Sequence, residues 1–161
     1  MLSPSSSAVR AMDWKFMGQW FDSTFGHFYI FMNFNTIQLL SAINSAAYTR
    51  KESVTVEANA FSLSVLKSLY DEGYVLSYKV KHIKKINLFT VTIHIRYFFG
   101  QSTLEKIKFI SSPRVTRVHT LRDISRMNFK KDTIFYSTDK GVLTLQQCKE
   151  EKIGGVALFV C

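Results

Sequence analysis

The sequence predicts an α+β protein built from two small subdomains, and three observations carry that expectation. Apolar residues recur at helical spacing in two separate early stretches, around a short alternating strand. Leu88 to Phe99 then alternates with period two. Finally, Phe135 to Gly155 reads as strand, polar turn, short capped helix and glycine stop, with Val156 to Cys161 returning as a strand. Helix, strand, helix and two strands make a compact N-terminal unit over residues 35–100. A mainly β unit with a short capped helix follows over 101–161, and residues 1–34 form an aromatic-rich extension before both.

Taken in order, Trp14 to Phe34 is the densest aromatic stretch of the chain. Ser23 to Tyr48 carries no formal charge, yet His27, Asn33, Asn35, Thr36, Gln38 and Asn44 interrupt it, so no run of about twenty apolar residues exists to span a bilayer. Ile37, Leu40, Ile43 and Ala47 predict a helix over Thr36–Ala47. Val54 and Val56 alternate with Thr55 as a strand. Asn59 is placed to cap a second helix with Leu63, Leu66, Leu69 and Tyr70 on its inner face, and Gly73 to stop it. Tyr74 to Ile83 and Leu88 to Phe99 are strands, with Lys84-Lys85 at or near the tip between them and Val91, Ile93, Ile95, Tyr97 and Phe99 on one face. Gly100-Gln101-Ser102 reads as a hinge. Strands near Ile107–Ile110 and Val115–Thr120 and a helical turn around Leu121–Met127 lead to the final stretch. There Thr144 and Gln147 match a capping box, and Gly154-Gly155 is expected to end the helix in a left-handed conformation.

The composition bounds the chemistry. With 161 residues and 47% apolar content the chain can build a core, and its net charge of +9 favours a polyanionic partner. Between Lys79 and Lys131 thirteen Lys and Arg face only Glu105 and Asp123, so the excess charge is central. Cys148 and Cys161 have no metal-ligand spacing with His27, His82, His94 or His119, and read as a reduced structural pair. His94 reads as a packed or surface histidine, whereas His119 lies in the basic region. Acidic residues are scattered, and Ser137 carries no signature of activation by a histidine. The expectation is therefore no enzyme, no cofactor, no metal and no small-molecule substrate.

Ser111-Ser112-Pro113, then Ser137-Thr138-x-x-Gly141, then Gly154-Gly155 with twelve residues between Gly141 and Gly154, form an ordered set. Ser-Thr-x-x-Gly alone is most often an ordinary turn. The set as a whole resembles the eighth small-subunit ribosomal protein family, over about residues 35–161. Leu39 to Ala46 is similar to that family's first-helix pattern, Val54-Thr55-Val56 to its first strand, and Glu72-Gly73-Tyr74-Val75 to the close of its second helix.

The resemblance implies a two-part α+β protein that binds the central domain of small-subunit ribosomal RNA and contacts neighbouring small-subunit proteins. It points to Ser137, Thr138 and Gly141 as the chief RNA contacts, with Ser111, Ser112 and Pro113 in a second turn and the glycine pair Gly154 and Gly155 beside the first. Small hydroxyls permit close backbone approach and can bond 2′-OH and phosphate oxygens. Lys84, Lys85, Arg114, Arg117 and Lys140 are placed to position the protein on phosphates. The chain departs from the family pattern where Asp139 replaces a usual serine and Val156 a usual glutamate. Ala42 and Asn44 also stand in place of arginines, Glu57 in place of a proline, and the last strand lacks its aromatic end. Asp139 would turn aside, bond a base or ribose donor, or pair with Lys140. Residues 1–12, with one Arg, four Ser and no acid, resemble an organellar targeting segment. Together these suggest a diverged organellar member, mitochondrial rather than plastid, whose N-terminal extension anchors it to protein neighbours. An RNA-binding regulator or chaperone outside the ribosome is the alternative, and a membrane-attached protein a further one.

Overall fold

The computed structural model describes residues 33–82, 89–104, 106–127 and 132–161. Helix α1 (Phe34–Tyr48) buries Leu39, Leu40, Ile43, Ala46 and Ala47 along one side, which is the stripe its spacing dictates. Strand β1 (Ser53–Ala58) leads through Asn59 into α2 (Ala60–Asp71). Asn59 Oδ1 accepts from both the backbone N–H and the hydroxyl of Ser62 at 2.8 Å, and the Ser62 hydroxyl also bonds Thr36 Oγ1 at 3.0 Å. One N-cap thus satisfies a buried polar contact between two helices. The inner face of α2 is Phe61, Val65, Leu66 and Leu69. Leu63 is only half-buried and Tyr70 is exposed, so the face is rotated from the expected one, because Phe61, Val65 and Leu69 repeat at four residues and set its centre. Gly73, at φ +82°, ends the helix as expected.

Strands β2 (Val75–His82) and β3 (Phe89–Ile95) complete an antiparallel sheet of order β1-β3-β2. Val91, Ile93 and Ile95 face the helices, and a register shift between Val75 and Ser77 leaves Leu76 outside. The expected strand to Phe99 is cut at Arg96. Tyr97–Phe98 (β4) pairs instead with Gln101–Ser102 (β5), and Phe98 and Phe99 are exposed. Positive φ at Phe99 and Gly100 reverses the chain there, so Gly100-Gln101-Ser102 closes a hairpin where a hinge was expected.

The second sheet gathers β6 (Lys108–Phe109), β7 (Arg117–His119), β8 (Ile134–Thr138) and β9 (Gly141–Thr144) around β10 (Gly155–Val160). β8 lies on one edge of β10 and carries β9 as a hairpin partner; β6 and β7 share the other edge. Helix α3 (Leu121–Arg126) follows β7, and α4 (Leu145–Glu151) follows β9. Its central strands β8 and β10 are buried on both faces, while β6 and β7 are largely exposed. Phe135, Leu158 and Phe159 join the main core with Leu40, Ile43, Leu66, Leu69 and Ile93. Ile134, Tyr136 and Ala157 face a second core with Ile124, Leu145 and Cys148. The register shift between Ala157 and Phe159 lets Leu158 and Phe159, though adjacent, enter the same core.

The two units are also tied by hydrogen bonds. Asn44 Oδ1 accepts from the Ile107 N–H at 3.2 Å, the Ser68 hydroxyl donates to Val142 O at 3.0 Å, and the Tyr74 hydroxyl donates to Thr133 Oγ1 at 3.1 Å. Among the described residues no helix is long and apolar enough to cross a membrane. The expected Lys84-Lys85 tip, and the extension through Met32, lie outside the described residues.

The shared core makes Phe135 a joint. Its ring stacks on Phe159 with centroids 4.7 Å apart and meets the edge of Tyr74 at 6.3 Å. Phe135→Ala is expected to cost about 3–5 kcal/mol in urea denaturation, with both units still melting in one transition. Alkali should act through the second core and the chain end. Burial raises the Cys148 thiol to about 11, the Tyr136 phenol to about 12 and the Cys161 thiol to about 12. The folded chain therefore holds protons that the unfolded chain releases. Stability should be level at neutral pH and fall from about pH 9 upward, by at most about 1.4 kcal/mol per pH unit for each group, as urea midpoints taken from pH 7 to 10.5 would record.

Candidate nucleic-acid interface

The polar turn lies between β8 and β9. Thr138 pairs with Gly141, so Asp139 and Lys140 form a two-residue turn, and Gly141 stands at φ +117°. The Thr138 hydroxyl donates to Gly141 O at 2.8 Å and locks that turn. Ser137 is buried inside the sheet, between Val142 of β9 and Val156 of β10. Asp139 and Lys140 are exposed, and Lys140 pairs with Glu151 of α4. Both ends of that pair are about half exposed, so it contributes little and leaves Lys140 able to change partners. Thr144 and Gln147 form the expected capping box, with Thr144 N–H donating to Gln147 Oε1 at 3.0 Å.

The glycine pair does not end the helix. Lys152 takes the left-handed position at φ 54°, and neither Gly154 nor Gly155 has positive φ. What these two positions require is the absence of a side chain. A Cβ at Gly155 would sit 2.7 Å from the Ser137 carbonyl oxygen and 2.9 Å from Thr138 Cγ2. At Gly154 it would sit 2.9 Å from the His119 carbonyl oxygen and 3.4 Å from the Leu121 nitrogen. The pair is a slot through which β10 passes between the end of β8 and the β7–α3 junction.

The second turn is on the opposite edge of β10. Ser111 is buried; its hydroxyl donates to Ala157 O and accepts from the Arg117 N–H at 3.0 Å. The N–H groups of Ile110 and Ser111 both bond Leu158 O. Ser112 and Val115 close the loop by reciprocal backbone bonds of 2.8 and 3.1 Å, leaving Ser112, Pro113 and Arg114 exposed at its tip, with Arg117 exposed just after it. So the structure brings the two serine turns and the glycine pair together on one strand, while the hydroxyls of Ser111 and Thr138 make bonds within the protein. His119 is likewise turned inward, with Nδ1 3.1 Å from the Tyr136 hydroxyl. His94 is half-buried on β3.

Several exposed cations escaped the sequence reading. Lys108 lies on β6, Arg122 and Arg126 on α3, and Lys152 at the α4 stop. Helix α3 is held by Asp123, whose carboxylate accepts from the Thr120 hydroxyl at 2.7 Å and N–H at 2.9 Å; these bonds keep its pKa below the ordinary value. The Thr120-x-x-Asp123 pattern was the available signal for a helix start, whose first backbone nitrogen, that of Leu121, lies against Gly154. Cys148 and Cys161 are free thiols, and among the described residues no three His, Cys, Asp or Glu could hold a metal ion.

Comparison with known proteins gives one family. The profile described as Ribosomal protein S8 matches residues 36–161. The chain is similar to the small ribosomal subunit protein uS8 of Pseudomonas fluorescens (strain SBW25), 28% identical over 120 residues, which cover 74% of this chain and 90% of that protein. It is also similar to the small ribosomal subunit protein uS8 of Buchnera aphidicola subsp. Cinara cedri, 31% identical over 117 residues, covering 73% and 88%.

The slot glycine Gly155 and the turn glycine Gly141 should respond differently to substitution. Gly155→Ala places a methyl against backbone and is expected to cost about 1–3 kcal/mol, as overpacking does. Gly141→Ala meets no atom within 4 Å and carries only the penalty of its positive φ, about 1 kcal/mol. Urea midpoints of the two variants, compared with the parent, check the order.

Proposed function

The chain belongs to the ribosomal protein S8 family, and from that premise we propose that it is a structural constituent of a small ribosomal subunit. In this reading it binds the central domain of small-subunit ribosomal RNA and supports subunit assembly and mitochondrial translation. It works by binding, with no chemical step of its own. The observation that carries the reading is the family match over residues 36–161, which includes both serine turns and the glycine slot.

The geometry suggests a division of labour. Ser112, Pro113, Arg114 and Arg117 on one edge of β10, and Thr138, Lys140 and Gly141 on the other, form the surface offered to RNA. Ser111, Ser137, Gly154 and Gly155 act from beneath by fixing how far apart the two turns stand. Lys84 and Lys85 add phosphate contacts. Thr138 Oγ1, already donating to Gly141 O, keeps a lone pair for a 2′-OH donor. The mitochondrial placement is supported by the modest identity to the bacterial relatives and by the basic, serine-rich, acid-free residues 1–12. The aromatic extension would seat against neighbouring small-subunit proteins.

A tagged chain should co-sediment with the small subunit of mitochondria through moderate salt, and should do so less well when residues 1–34 are deleted. A soluble pool free of ribosomal RNA would favour the extraribosomal regulator instead. In vitro, Arg114→Ala with Arg117→Ala should weaken binding to all RNAs and flatten the salt slope by up to ~0.7–0.9 units per lost phosphate contact. Thr138→Val should weaken the cognate RNA more than a scrambled duplex. Equal losses on both RNAs from both variants would refute the division of labour.

A further inference from the structure

The β4–β5 hairpin offers two aromatic rings to solvent at a position where the backbone disfavours them. Tyr97 pairs with Ser102 and Phe98 with Gln101, so Phe99 and Gly100 are the two central residues of the turn. Both have positive φ, 48° and 76°. Turns of this kind are ordinarily filled by Asn-Gly or Gly-Gly, because a bulky L side chain crowds its own backbone there. Phe99 is nevertheless 93% exposed and Phe98 65% exposed, with the two rings edge to face at a centroid distance of 4.5 Å. Apart from that ring contact, no packing described for the two rings rewards this arrangement. Glycine at position 99 would relax the turn, and a polar residue would remove exposed apolar surface.

The base of the hairpin is firmly held. The Tyr97 hydroxyl donates to Lys51 O at 2.7 Å, and the N–H and hydroxyl of Thr103 both donate to Arg96 O, at 3.1 and 2.7 Å. The Thr103 bonds close the foot of the hairpin, and the Tyr97 bond ties that foot to the turn after α1, where Arg50 and Lys51 are exposed with the acid Glu52 beside them. Arg96, at the foot of β4, is exposed too. The rings therefore stand at the tip of a hairpin whose foot meets the Arg50-Lys51-Glu52 turn, while the Arg96 guanidinium donates to Gly73 O at 3.4 Å.

We propose that Phe98 and Phe99 form a stacking platform for an unpaired nucleobase of RNA, with Arg50, Lys51 and Arg96 holding the adjoining phosphates. This rests on the reading that the chain is bound to small-subunit RNA. A protein pocket is the competing occupant, but a stable protein interface needs a broad apolar centre, and here only two rings project from a two-residue tip. One base needs only one ring face, and the cations at the foot of the hairpin suit the phosphates that adjoin it.

The test uses the full chain, a small-subunit ribosomal RNA transcript and a single-stranded uridine dodecamer. Ultraviolet crosslinking to the transcript should leave a nucleotide adduct on Phe98 or Phe99, mapped by mass spectrometry. Phe99→Gly should keep or raise the melting temperature yet weaken dodecamer binding about 5-fold or more, the lower bound for one stacked base. Phe99→Leu should lose as much, and Phe99→Trp should retain binding. If Leu serves as well as Phe, the tip needs an apolar seat, such as a partner protein or this chain's own residues 1–32, and the stacking proposal fails. If the parent chain binds the transcript and Phe99→Gly binds both RNAs equally well, only the platform is overturned. If the parent chain does not bind the transcript at all, the functional reading falls with it.

Discussion

The approach of β10 to β8 at Gly155 is the contact on which the C-terminal half depends. With a carbonyl oxygen 2.7 Å from where a Cβ would stand, the two backbones can pair there only if no side chain intervenes. Once admitted, β10 pairs with β8 on one edge and with β6 and β7 on the other, and it carries Leu158 and Phe159 into the main core. The same passage at Gly154 sets the β7–α3 junction against the α4 exit. Hence one local steric condition fixes the separation of the two serine turns.

The placement of the hydroxyls alters how this surface is understood. Ser111 and Thr138 make internal bonds, and Ser137 lies within the sheet. A serine in such a position contributes by holding a turn in a shape that exposed backbone and arginine side chains can use. In the proposed RNA-bound state, phosphate contacts would position the protein while the outline of the turns selects the site, which would make rigid turns and adaptable cations complementary parts of one surface. The solvent-exposed Lys140–Glu151 pair fits this division, because it can open at small cost.

Much of the fold was legible because its signals are local. The apolar stripe of α1, the Asn59 and Thr144 caps, the Gly73 stop and the alternation through Ile95 each follow from a few neighbouring residues. What escaped was set by distant partners. The alternation continues in the sequence past Ile95, but the strand does not, because Tyr97 pairs with Ser102. Gly100 marks a break there, but Phe99 stands where such a turn usually has Asn or Gly, so the residues before Gly100 read as strand. The glycine pair was assigned to a left-handed stop since glycine commonly serves there, whereas Lys152 takes that role and the glycines answer to a strand and a helix start elsewhere in the chain. Of the candidate site, the two turns were legible from their serine, proline and glycine residues and the burial of their hydroxyls was not: spacing cannot reveal that the Ser111 hydroxyl is turned toward Ala157.

The shared core also has a meaning for synthesis. A chain made from its N-terminus completes α1, β1, α2, β2 and β3 early, yet the cavity between them is filled by Phe135, Leu158 and Phe159. Until those residues are made, Leu40, Leu66 and Ile93 lack part of their packing, and the growing chain exposes an apolar surface that other partly made proteins could adhere to. The register shift in β10, which sends both Leu158 and Phe159 inward, thus makes completion of the N-terminal core wait for a strand that is made after all the others described.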